Sequence, residues 1–221
     1  MTNNQPIECV IFDCDGTLID SEKLCLQAIC QTMEELDIHV DYQWLKEKFQ
    51  GIKIHIVFDY LLEKNGKRDE QDLEALITRY REHCNALFVQ HLQPLDGVRD
   101  VIAELNSRGL AMCIASNAPM EKMDVTLAIT DLRKEFEGRI YSAFDAKAWK
   151  PDPKMLHYVL DNMGFEPQQC LFIDDSMAGV EAGVRAQIKT LYFSHDASVD
   201  TENPFDVDTI THISECLDYL T

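Results

Sequence analysis

The stretch FDCDGTLIDSE, residues 12–22, follows a run of almost entirely apolar residues, IECVIF at 7–12. A short apolar run that ends in glycine and polar residues is typical of a buried strand, so Asp13 and Asp15 are expected where that strand gives way to a loop. Two acids placed together there could bind calcium, cap a helix or act jointly in catalysis. The residues that follow the other strands help to distinguish these interpretations.

Five apolar runs predict the strands of a parallel sheet. Their continuous apolar character is expected for strands that are covered on both faces. The runs are Glu8–Phe12, Leu110–Ala115, Arg139–Ser142, Cys170–Ile173 and Thr190–Phe193. Helical patterns alternate with them, and this alternation predicts an α/β fold: a doubly wound, Rossmann-like parallel sheet.

Start and stop signals define several of the intervening helices. The predicted helix at Val98–Arg108 ends before a glycine, and the one at Asp152–Met163 has Asp152 as its N-cap and proline at its first position. Ser176 is predicted to cap a further helix that runs to about Gln187.

The segment from Ser21 to about His91 interrupts this alternation, because it has helical periodicity and no convincing strand. The run GIKIHIVFDYLLEKNG at 51–66 is apolar enough for a strand, but its length and its terminal Asn-Gly favour a helix. We therefore expect residues 21–91 to form an all-helical cap domain, inserted into an α/β core domain made of residues 1–20 and 92–221. A lid over the loop after the first strand is the expected role of this insertion.

Composition and charge narrow the classes of function. The 221 residues include 20 basic and 39 acidic side chains, a net charge of −19, which disfavours binding to nucleic acid or to an anionic membrane. A phosphate site in such a protein would need a metal ion or local cations. The eight cysteines contain no CxxC pair, so we expect them to be reduced. The absence of a signal-peptide pattern and of a membrane-length apolar stretch predicts a cytoplasmic protein.

Polar side chains are predicted at four places along the carboxyl edge of the sheet, where open α/β folds bind their ligands. The residues are Asp13 and Asp15 after the first strand, Ser116 and Asn117 after the second, Lys150 in the loop after the third, and Asp174 and Asp175 after the fourth. Their convergence on one edge favours a catalytic site.

Each of these residues also has an ordinary structural explanation. Ser116 and Asn117 could begin a turn, Lys150 could be an exposed surface lysine, and Asp175 could cap the helix that follows it. The glycines at 179 and 183 are best explained by close packing of that helix on the sheet, because the lysine of a phosphate-binding P-loop is missing.

The calcium interpretation of the first motif fails on spacing. An EF-hand loop that began at Asp13 would need glycine at its sixth position and glutamate at its twelfth. These positions hold Leu18 and Leu24.

The combination of residue types fits phosphoryl transfer through an aspartyl-phosphate. Asp13 is a competent nucleophile, and Mg²⁺ held by carboxylates would offset the repulsion between this acid and a phosphate. Asp15 lies on the same side of an extended chain, where it could protonate the leaving oxygen and then take a proton from water. Lys150 and Ser116 could stabilise the phosphoryl oxygens.

Four motifs together resemble those of the haloacid dehalogenase-like (HAD) hydrolases, in the subgroup with a helical cap, and the resemblance covers essentially the whole chain. They are FDCDGTLIDSE at 12–22, IASNAP at 114–119, WKPDP at 149–153 and FIDDSMAGVEAG at 172–183. The resemblance implies a role for each residue: Asp13 as nucleophile, Asp15 as acid/base, Ser116 as phosphate ligand, and Lys150 as the cation that stabilises nucleophile and phosphate. It also implies a Mg²⁺ site formed by Asp13, the backbone carbonyl of Asp15, and Asp175, with Asp174 beside them.

The resemblance also points toward a class of substrate. An acid at the Asp15 position is missing from the family's dehalogenases and transport ATPases, so a phosphomonoester is implied. The segments GIKIH at 51–55 and YSAFDAKAWKPDP at 141–153 are most similar to the branch that acts on sugar-acid phosphates, with phosphosugar mutases more distant. A cap loop around a glycine maps to Gly51, and Lys53 is the candidate for contacting a substrate carboxylate or hydroxyl. Asn117 is assigned to substrate binding as well.

The sequence thus predicts a magnesium-dependent phosphatase of a small phosphorylated metabolite, a sugar or sugar-acid phosphate, acting as a monomer or weak dimer. A phosphosugar mutase with the same aspartyl-phosphate stays open, because no motif distinguishes water from a sugar hydroxyl as the acceptor. A phospho-acceptor signalling module, such as a response-regulator receiver, is a remote alternative. Receivers place their acidic pair and their acceptor aspartate after different strands and have no helical insertion.

Overall fold

The computed structural model describes residues 6–49, 52–195 and 204–220. The chain divides into two compact units, one made of Met1–Asp20 with Gln93–Thr221 and the other of Ser21–Leu92. We call the first the sheet unit and the second the helical unit.

Within the described ranges, a six-stranded sheet forms the centre of the sheet unit. Its strands are β1 (Cys9–Phe12), β2 (Ala111–Ser116), β3 (Ile140–Ser142), β4 (Cys170–Asp174), β5 (Lys189–Phe193) and β6 (Asp208–Ile210). The order across the sheet is β3-β2-β1-β4-β5-β6, and every neighbouring pair is parallel. The predicted doubly wound parallel sheet is confirmed.

The five strands predicted from the sequence lie where expected, with ends that differ by one residue. The sequence pattern does not predict β6. Only Ile210 of its three residues is buried, so its apolar signal is too weak to stand out from a loop.

Helices occupy most of the remaining described chain. The helical unit contains α1 (Glu22–Glu34), α2 (Tyr42–Phe49), α3 (Ile54–Lys64) and α4 (Leu73–His91), with a 3₁₀ helix at Arg68–Glu70. The sheet unit contains α5 (Val98–Ser107), α6 (Met120–Ile129), α7 (Ala143–Ala146), α8 (Lys154–Met163) and α9 (Met177–Arg185), with 3₁₀ helices at Pro167–Gln169 and Ile213–Tyr219. None of the helices in the described ranges has the length and apolar character needed to cross a bilayer.

Helix α5 ends at Ser107, one residue before the predicted end at Arg108, and two further predicted helix ends need correction. Helix α8 begins at Lys154 with Pro153 as its N-cap, whereas the sequence suggests Asp152 as the cap. The carboxylate of Asp152 instead accepts a hydrogen bond from the Lys154 backbone N–H (3.0 Å), so it stabilises the turn just before the helix. Helix α9 ends at Arg185, before the predicted end at Gln187, whose positive φ of 60° is incompatible with a continuing helix.

The helix cap predicted at Ser176 is confirmed. Its Oγ accepts a hydrogen bond from the Gly179 backbone N–H at 3.0 Å. Farther along α9, a Cβ at Gly183 would lie only 2.2 Å from Oγ1 of Thr190 on β5. Glycine at this position therefore allows the helix to pack closely on the sheet, as predicted.

Both faces of the sheet are buried, which explains the uninterrupted apolar strands. Cys9 and Ile11 belong to a buried cluster that includes side chains of α8 and α9. The alternate residue Phe12 is also fully buried, and its ring lies 6.2 Å from the ring of Phe136 in an edge-to-face contact. Because successive side chains of a strand point to opposite faces, each face of the sheet has its own core.

The helical unit has a separate apolar core to which α1 to α4 all contribute. The ambiguous apolar segment in this unit forms α3, so the prediction of a helix there is confirmed. Its side chains Phe58 and Leu62 are fully buried in that core. All eight cysteines of the chain are free thiols, as expected.

Candidate active site

The candidate site lies at the topological switch point of the sheet. The chain runs from β1 to β2 and β3 on one side, while β4, β5 and β6 extend the sheet on the other side of β1. The backbone N–H of Asp13 donates to the carbonyl of Ile173 at 2.9 Å, so the loop after β1 continues beside the end of β4. Open α/β sheets bind their ligands at such a point, because the loops diverge there and leave a crevice.

Lys150 is the centre of this arrangement. Its Nζ donates to Asp13 Oδ1 at 2.5 Å, to Asp174 Oδ2 at 2.7 Å and to the carbonyl of Ala115 at 3.0 Å. The side chain is only 3% exposed. The alternative interpretation of Lys150 as an exposed surface lysine is therefore wrong.

Asn117 holds the backbone of Lys150. Its Nδ2 donates to the Lys150 carbonyl at 3.2 Å, and its Oδ1 accepts from the Lys150 N–H at 2.9 Å. The amide thus joins the end of β2 to the loop that carries the lysine. The assignment of Asn117 to substrate binding stays a prediction, but the structure gives the residue a positioning role that the sequence did not indicate.

Three carboxylates approach one another closely. Asp13, Asp174 and Asp175 each place an oxygen within 4.8 Å of the others, and we call them the carboxylate cluster. The Oδ1 of Asp174 accepts from the backbone N–H and the hydroxyl of Ser176, at 2.8 and 2.7 Å. The Thr17 hydroxyl donates to Asp175 Oδ1 at 3.3 Å. These hydrogen bonds help to fix the orientations of Asp174 and Asp175.

Burial and mutual repulsion disfavour the ionised form of the carboxylates in this cluster. Burial is the main reason why the pKa of Asp13 is raised to about 7, since the charge of Lys150 opposes the shift and that of Asp174 adds to it. Burial followed by the charges of Asp13 and Asp174 raises the pKa of Asp175 well above its ordinary value. Burial by itself would lower the pKa of Lys150, but the two adjoining carboxylates raise it above its ordinary value.

A divalent cation fits this set of residues. Three carboxylates face a single ammonium group in the cluster, so a further positive charge would relieve the repulsion that raises the carboxylate pKa values. Carboxylate oxygens are also the ligands that Mg²⁺ prefers in proteins.

Glycines let the loops approach the cluster. Gly16 has a φ of +89°, and a Cβ there would lie 2.1 Å from Asp175 Oδ2. A Cβ at Gly179 would lie 1.9 Å from Asp174 Cγ. A larger residue at either position would therefore displace a carboxylate of the cluster.

Asp15 lies outside the carboxylate cluster. Its Oδ1 forms an ion pair with Nζ of Lys122 on α6 at 2.9 Å, and the two side chains are 25% and 31% exposed. Its backbone carbonyl, which the family resemblance assigns to the metal, stays a predicted ligand. Nothing in the sequence distinguishes Lys122, because a single lysine after the second motif resembles any solvated helix residue.

His195, just after β5, is a second residue near the site that belongs to none of the four motifs. Its Nε2 donates to the carbonyl of Gly16 at 2.6 Å and lies 3.9 Å from Asp175 Oδ2. The histidine ring also lies 4.7 Å from the ring of Phe193. These contacts tie the loop after β1 to the end of β5.

The remaining predicted residues differ in how much the structure reveals of them. Ser116 is buried, and its Oγ accepts from the Ala118 N–H at 3.1 Å, so the predicted turn role is present; its phosphate-binding role stays a prediction. Lys53 is exposed in the helical unit and is the N-cap residue of α3. Gly51 lies outside the described residues.

The chain is similar to known hydrolases and phosphatases. The sequence profile of the family described as haloacid dehalogenase-like hydrolase matches residues 10–193. The 6-phosphogluconate phosphatase of Escherichia coli strain K12 is 30% identical over 95% of this chain and 92% of that protein. Hexitol phosphatase B of the same organism is 28% identical over 86% of this chain and 85% of that protein.

A solved structure extends the comparison to three dimensions. A candidate beta-phosphoglucomutase from Thermotoga maritima superimposes with a TM-score of 0.85 and 25% identity, covering 97% of this chain and 98% of that one.

Proposed function

Because this chain belongs to the haloacid dehalogenase-like hydrolase family, we propose that it is a magnesium-dependent phosphatase of small sugar or sugar-acid phosphates. In this proposal, Asp13 is the nucleophile and forms an aspartyl-phosphate. The sugar-phosphate preference is supported by the phosphatase relatives, whose similarity extends over most of both chains.

One observation supports the proposed chemistry most directly. A single buried ammonium, that of Lys150, contacts both Asp13 and Asp174. Burying these charges together costs folding free energy, so the arrangement is better explained by a purpose other than stability. A phosphatase has such a purpose, since the same lysine can orient the nucleophile and stabilise the charge on the phosphoryl group.

The proposed reaction has two steps. A carboxylate oxygen of Asp13 attacks phosphorus, and the bond from phosphorus to the sugar oxygen breaks. The sugar oxygen keeps the electron pair of that bond and takes a proton from the Asp15 carboxyl group. Asp15, now ionised, accepts a proton from the water that attacks the aspartyl-phosphate. Phosphate leaves, and the Asp13 carboxylate and the protonated Asp15 are restored.

The carboxylate cluster would hold Mg²⁺ through Asp13 and Asp175, with Asp174 beside them. The bound ion would neutralise charge between nucleophile and phosphate. Ser116 is the proposed ligand of a phosphoryl oxygen, with Lys150 as its cationic partner.

Specificity is proposed to depend on the part of the substrate beyond the phosphate. The 6-phosphogluconate phosphatase relative makes 6-phosphogluconate the first compound to test. Lys53 is the proposed contact for a substrate carboxylate, because it offers an exposed positive charge. Asn117 and Gly51 remain further candidates for substrate contact.

A phosphate-release assay tests the proposal. We expect Mg²⁺-dependent release from 6-phosphogluconate and from hexitol and hexose 6-phosphates, loss of release in EDTA, and recovery with Mg²⁺. Ca²⁺ should restore little activity, because it is larger and takes more ligands at longer distances. Undiminished release in EDTA would contradict the metal requirement, and no release from any of these compounds would contradict the proposed function.

A phosphosugar mutase is the second candidate, and the high structural similarity to the candidate beta-phosphoglucomutase favours keeping it. The two activities differ only in whether water or a sugar hydroxyl accepts the phosphoryl group. Incubation with a hexose 1-phosphate separates them. Accumulation of the 6-phosphate without free phosphate would replace the phosphatase proposal by the mutase.

A further inference from the structure

We propose that Lys122 is a positioning residue that holds the Asp15 carboxyl group in the orientation that its acid/base role requires. This inference rests on the proposed function, because it assigns Asp15 the acid/base role of the phosphatase reaction. It adds a residue from α6 that belongs to none of the four motifs.

The geometry gives the two acids of the first motif separate cations. Lys150 contacts Asp13 Oδ1, while Lys122 contacts Asp15 Oδ1 at 2.9 Å. The first pair is almost fully buried, and the second has side-chain exposures of 31% for Lys122 and 25% for Asp15. Asp15 therefore keeps access to water, which its second step requires.

The position of Lys122 in its helix is unfavourable for the helix itself. It is the third residue of α6, which begins at Met120. The positive end of a helix dipole is at the N-terminus, so acids are preferred in the first turn and a lysine is not. The ion pair with Asp15 offers a reason for a cation at this place.

The backbone around Lys122 is well anchored. Its N–H donates to the carbonyl of Pro119 at 3.1 Å, and its own carbonyl accepts from the Thr126 hydroxyl at 3.1 Å. The side chain thus starts from a fixed point immediately after the second motif. A fixed origin lets a flexible lysine hold a defined orientation of its partner.

The ion pair has a specific consequence for proton transfer. The ammonium group of Lys122, 2.9 Å from Oδ1, restrains the Asp15 side chain in one orientation. In the first step an O–H bond of the Asp15 carboxyl group breaks as its proton moves to the leaving sugar oxygen. The resulting carboxylate is stabilised by the lysine and then takes a proton from the attacking water.

The test compares two substrates that differ in their need for a proton. An alkoxide leaving from a sugar phosphate must be protonated, whereas p-nitrophenolate leaves as a stable anion. The kcat/KM value reports the steps up to transfer of the phosphoryl group to Asp13, so it is the parameter to compare. Lys122→Met should lower kcat/KM for a sugar phosphate by roughly 10- to 100-fold, and for p-nitrophenyl phosphate by less than about 3-fold.

Two further variants control this measurement. Lys122→Arg keeps the charge and the donors and should restore most of the sugar-phosphate activity. Lys154→Met removes an exposed lysine from the first turn of α8, another helix of the sheet unit, and should leave both substrates unaffected. Lys122→Gln keeps N–H donors without charge, and it should show the same selective loss to a smaller degree even if the methionine variant folds poorly.

The possible results separate a failure of the proposed role of Lys122 from a failure of the proposed function. Equal losses for both substrates would make Lys122 a phosphate-binding residue and overturn the inference, as would no loss for either substrate. A wild-type protein that hydrolyses neither compound would instead contradict the phosphatase proposal, and the inference with it.

Discussion

Two lysines illustrate how differently the two units use positive charge. Lys150 in the sheet unit is 3% exposed and lies between two carboxylates. Lys48 in the helical unit is exposed, donates to the Tyr60 hydroxyl at 2.6 Å and lies 4.2 Å from the centre of that ring. The first arrangement is costly to fold, whereas the second keeps the ammonium group hydrated while it contacts an aromatic face.

The surroundings of Lys48 show what an ordinary stabilising contact looks like in this protein. Its ammonium also lies 5.4 Å from the Trp44 ring and 5.7 Å from the Phe49 ring. The hydrogen bond from Lys48 is the main reason why the pKa of Tyr60 is lowered. No carboxylate takes part in these contacts with the three rings. The buried ion pairs at the proposed site of chemistry thus differ from the ordinary lysine contacts of the helical unit.

Asp13→Asn should have the largest effect, because it removes the proposed nucleophile from the buried arrangement. We expect phosphate release to fall by roughly 10⁴-fold or more. The fold should survive, since Lys150 keeps Asp174 as a partner and one repulsive charge is lost. Steady-state phosphate release measures the activity, and circular dichroism measures whether the variant is folded. A folded variant that retains activity would remove Asp13 as nucleophile.

Lys150→Met tests the comparison of the two lysines directly. It leaves Asp13 and Asp174 without their shared cation, so in EDTA above neutral pH the free energy of unfolding should fall by about 3–5 kcal/mol. Activity should fall roughly 10²- to 10³-fold. Urea unfolding and phosphate release are the measurements.

Lys48→Met is the matched control for that variant. Because Lys48 is exposed, we expect it to lower the free energy of unfolding by no more than about 1 kcal/mol and to leave turnover unchanged. If the two substitutions destabilised the protein equally, the proposed distinction between the units would be wrong.

The metal-free protein should lose stability as pH rises. The folded-state pKa of Asp13 is about 7, above the ordinary value of 3.8, so the folded protein binds more protons than the unfolded chain between these values. This contribution is fully present below pH 3.8 and is lost as pH rises through about 7. Added Mg²⁺ should offset the loss, because it favours the ionised carboxylates.

Urea unfolding in EDTA across this pH range measures the effect. Asp13→Asn is the matched control, since asparagine does not titrate, and its stability should fall less steeply with pH than that of the wild type. Parallel curves for the two proteins would contradict the assigned pKa shift.

Lys53→Ala should have the smallest effect, because Lys53 is an exposed residue of the helical unit. We expect KM to rise by roughly 3- to 10-fold for 6-phosphogluconate and by less for a hexitol phosphate, which lacks the carboxylate. Lys48→Ala serves as the control for loss of a lysine from the same unit. Equal changes in KM for the two substrates would rule out Lys53 as the contact for a substrate carboxylate.

The fold was largely predictable, because strand and helix patterns are local properties of the chain. The apolar runs indicated β1 to β5, and the periodicity and terminal Asn-Gly indicated α3. The strand β6 escaped prediction, since three residues with one buried side chain carry almost no pattern. The sequence pattern places the N-cap of α8 at Asp152, whereas the structure has Pro153 there. Both residues are typical of a helix start, and local sequence does not decide between them.

The candidate site was predictable as a set of residues but not as a set of contacts. Strand ends in a parallel sheet meet at one edge, so Asp13, Lys150 and Asp174 could be expected to lie near one another. The strand order decides that β1 lies between β2 and β4, and only that order brings Lys150 between the two acids.

By itself, the sequence determined the alternation of strands and helices, the helical insertion and the polar residues at the strand ends, because each depends on residues that are neighbours in the chain. Only the tertiary structure decided that Asn117 holds the Lys150 backbone and that Lys122 pairs with Asp15. These contacts join residues far apart in sequence, and a lone lysine or asparagine carries no local signal of its partner. Their pairing follows from which loops the folded sheet brings to the same edge.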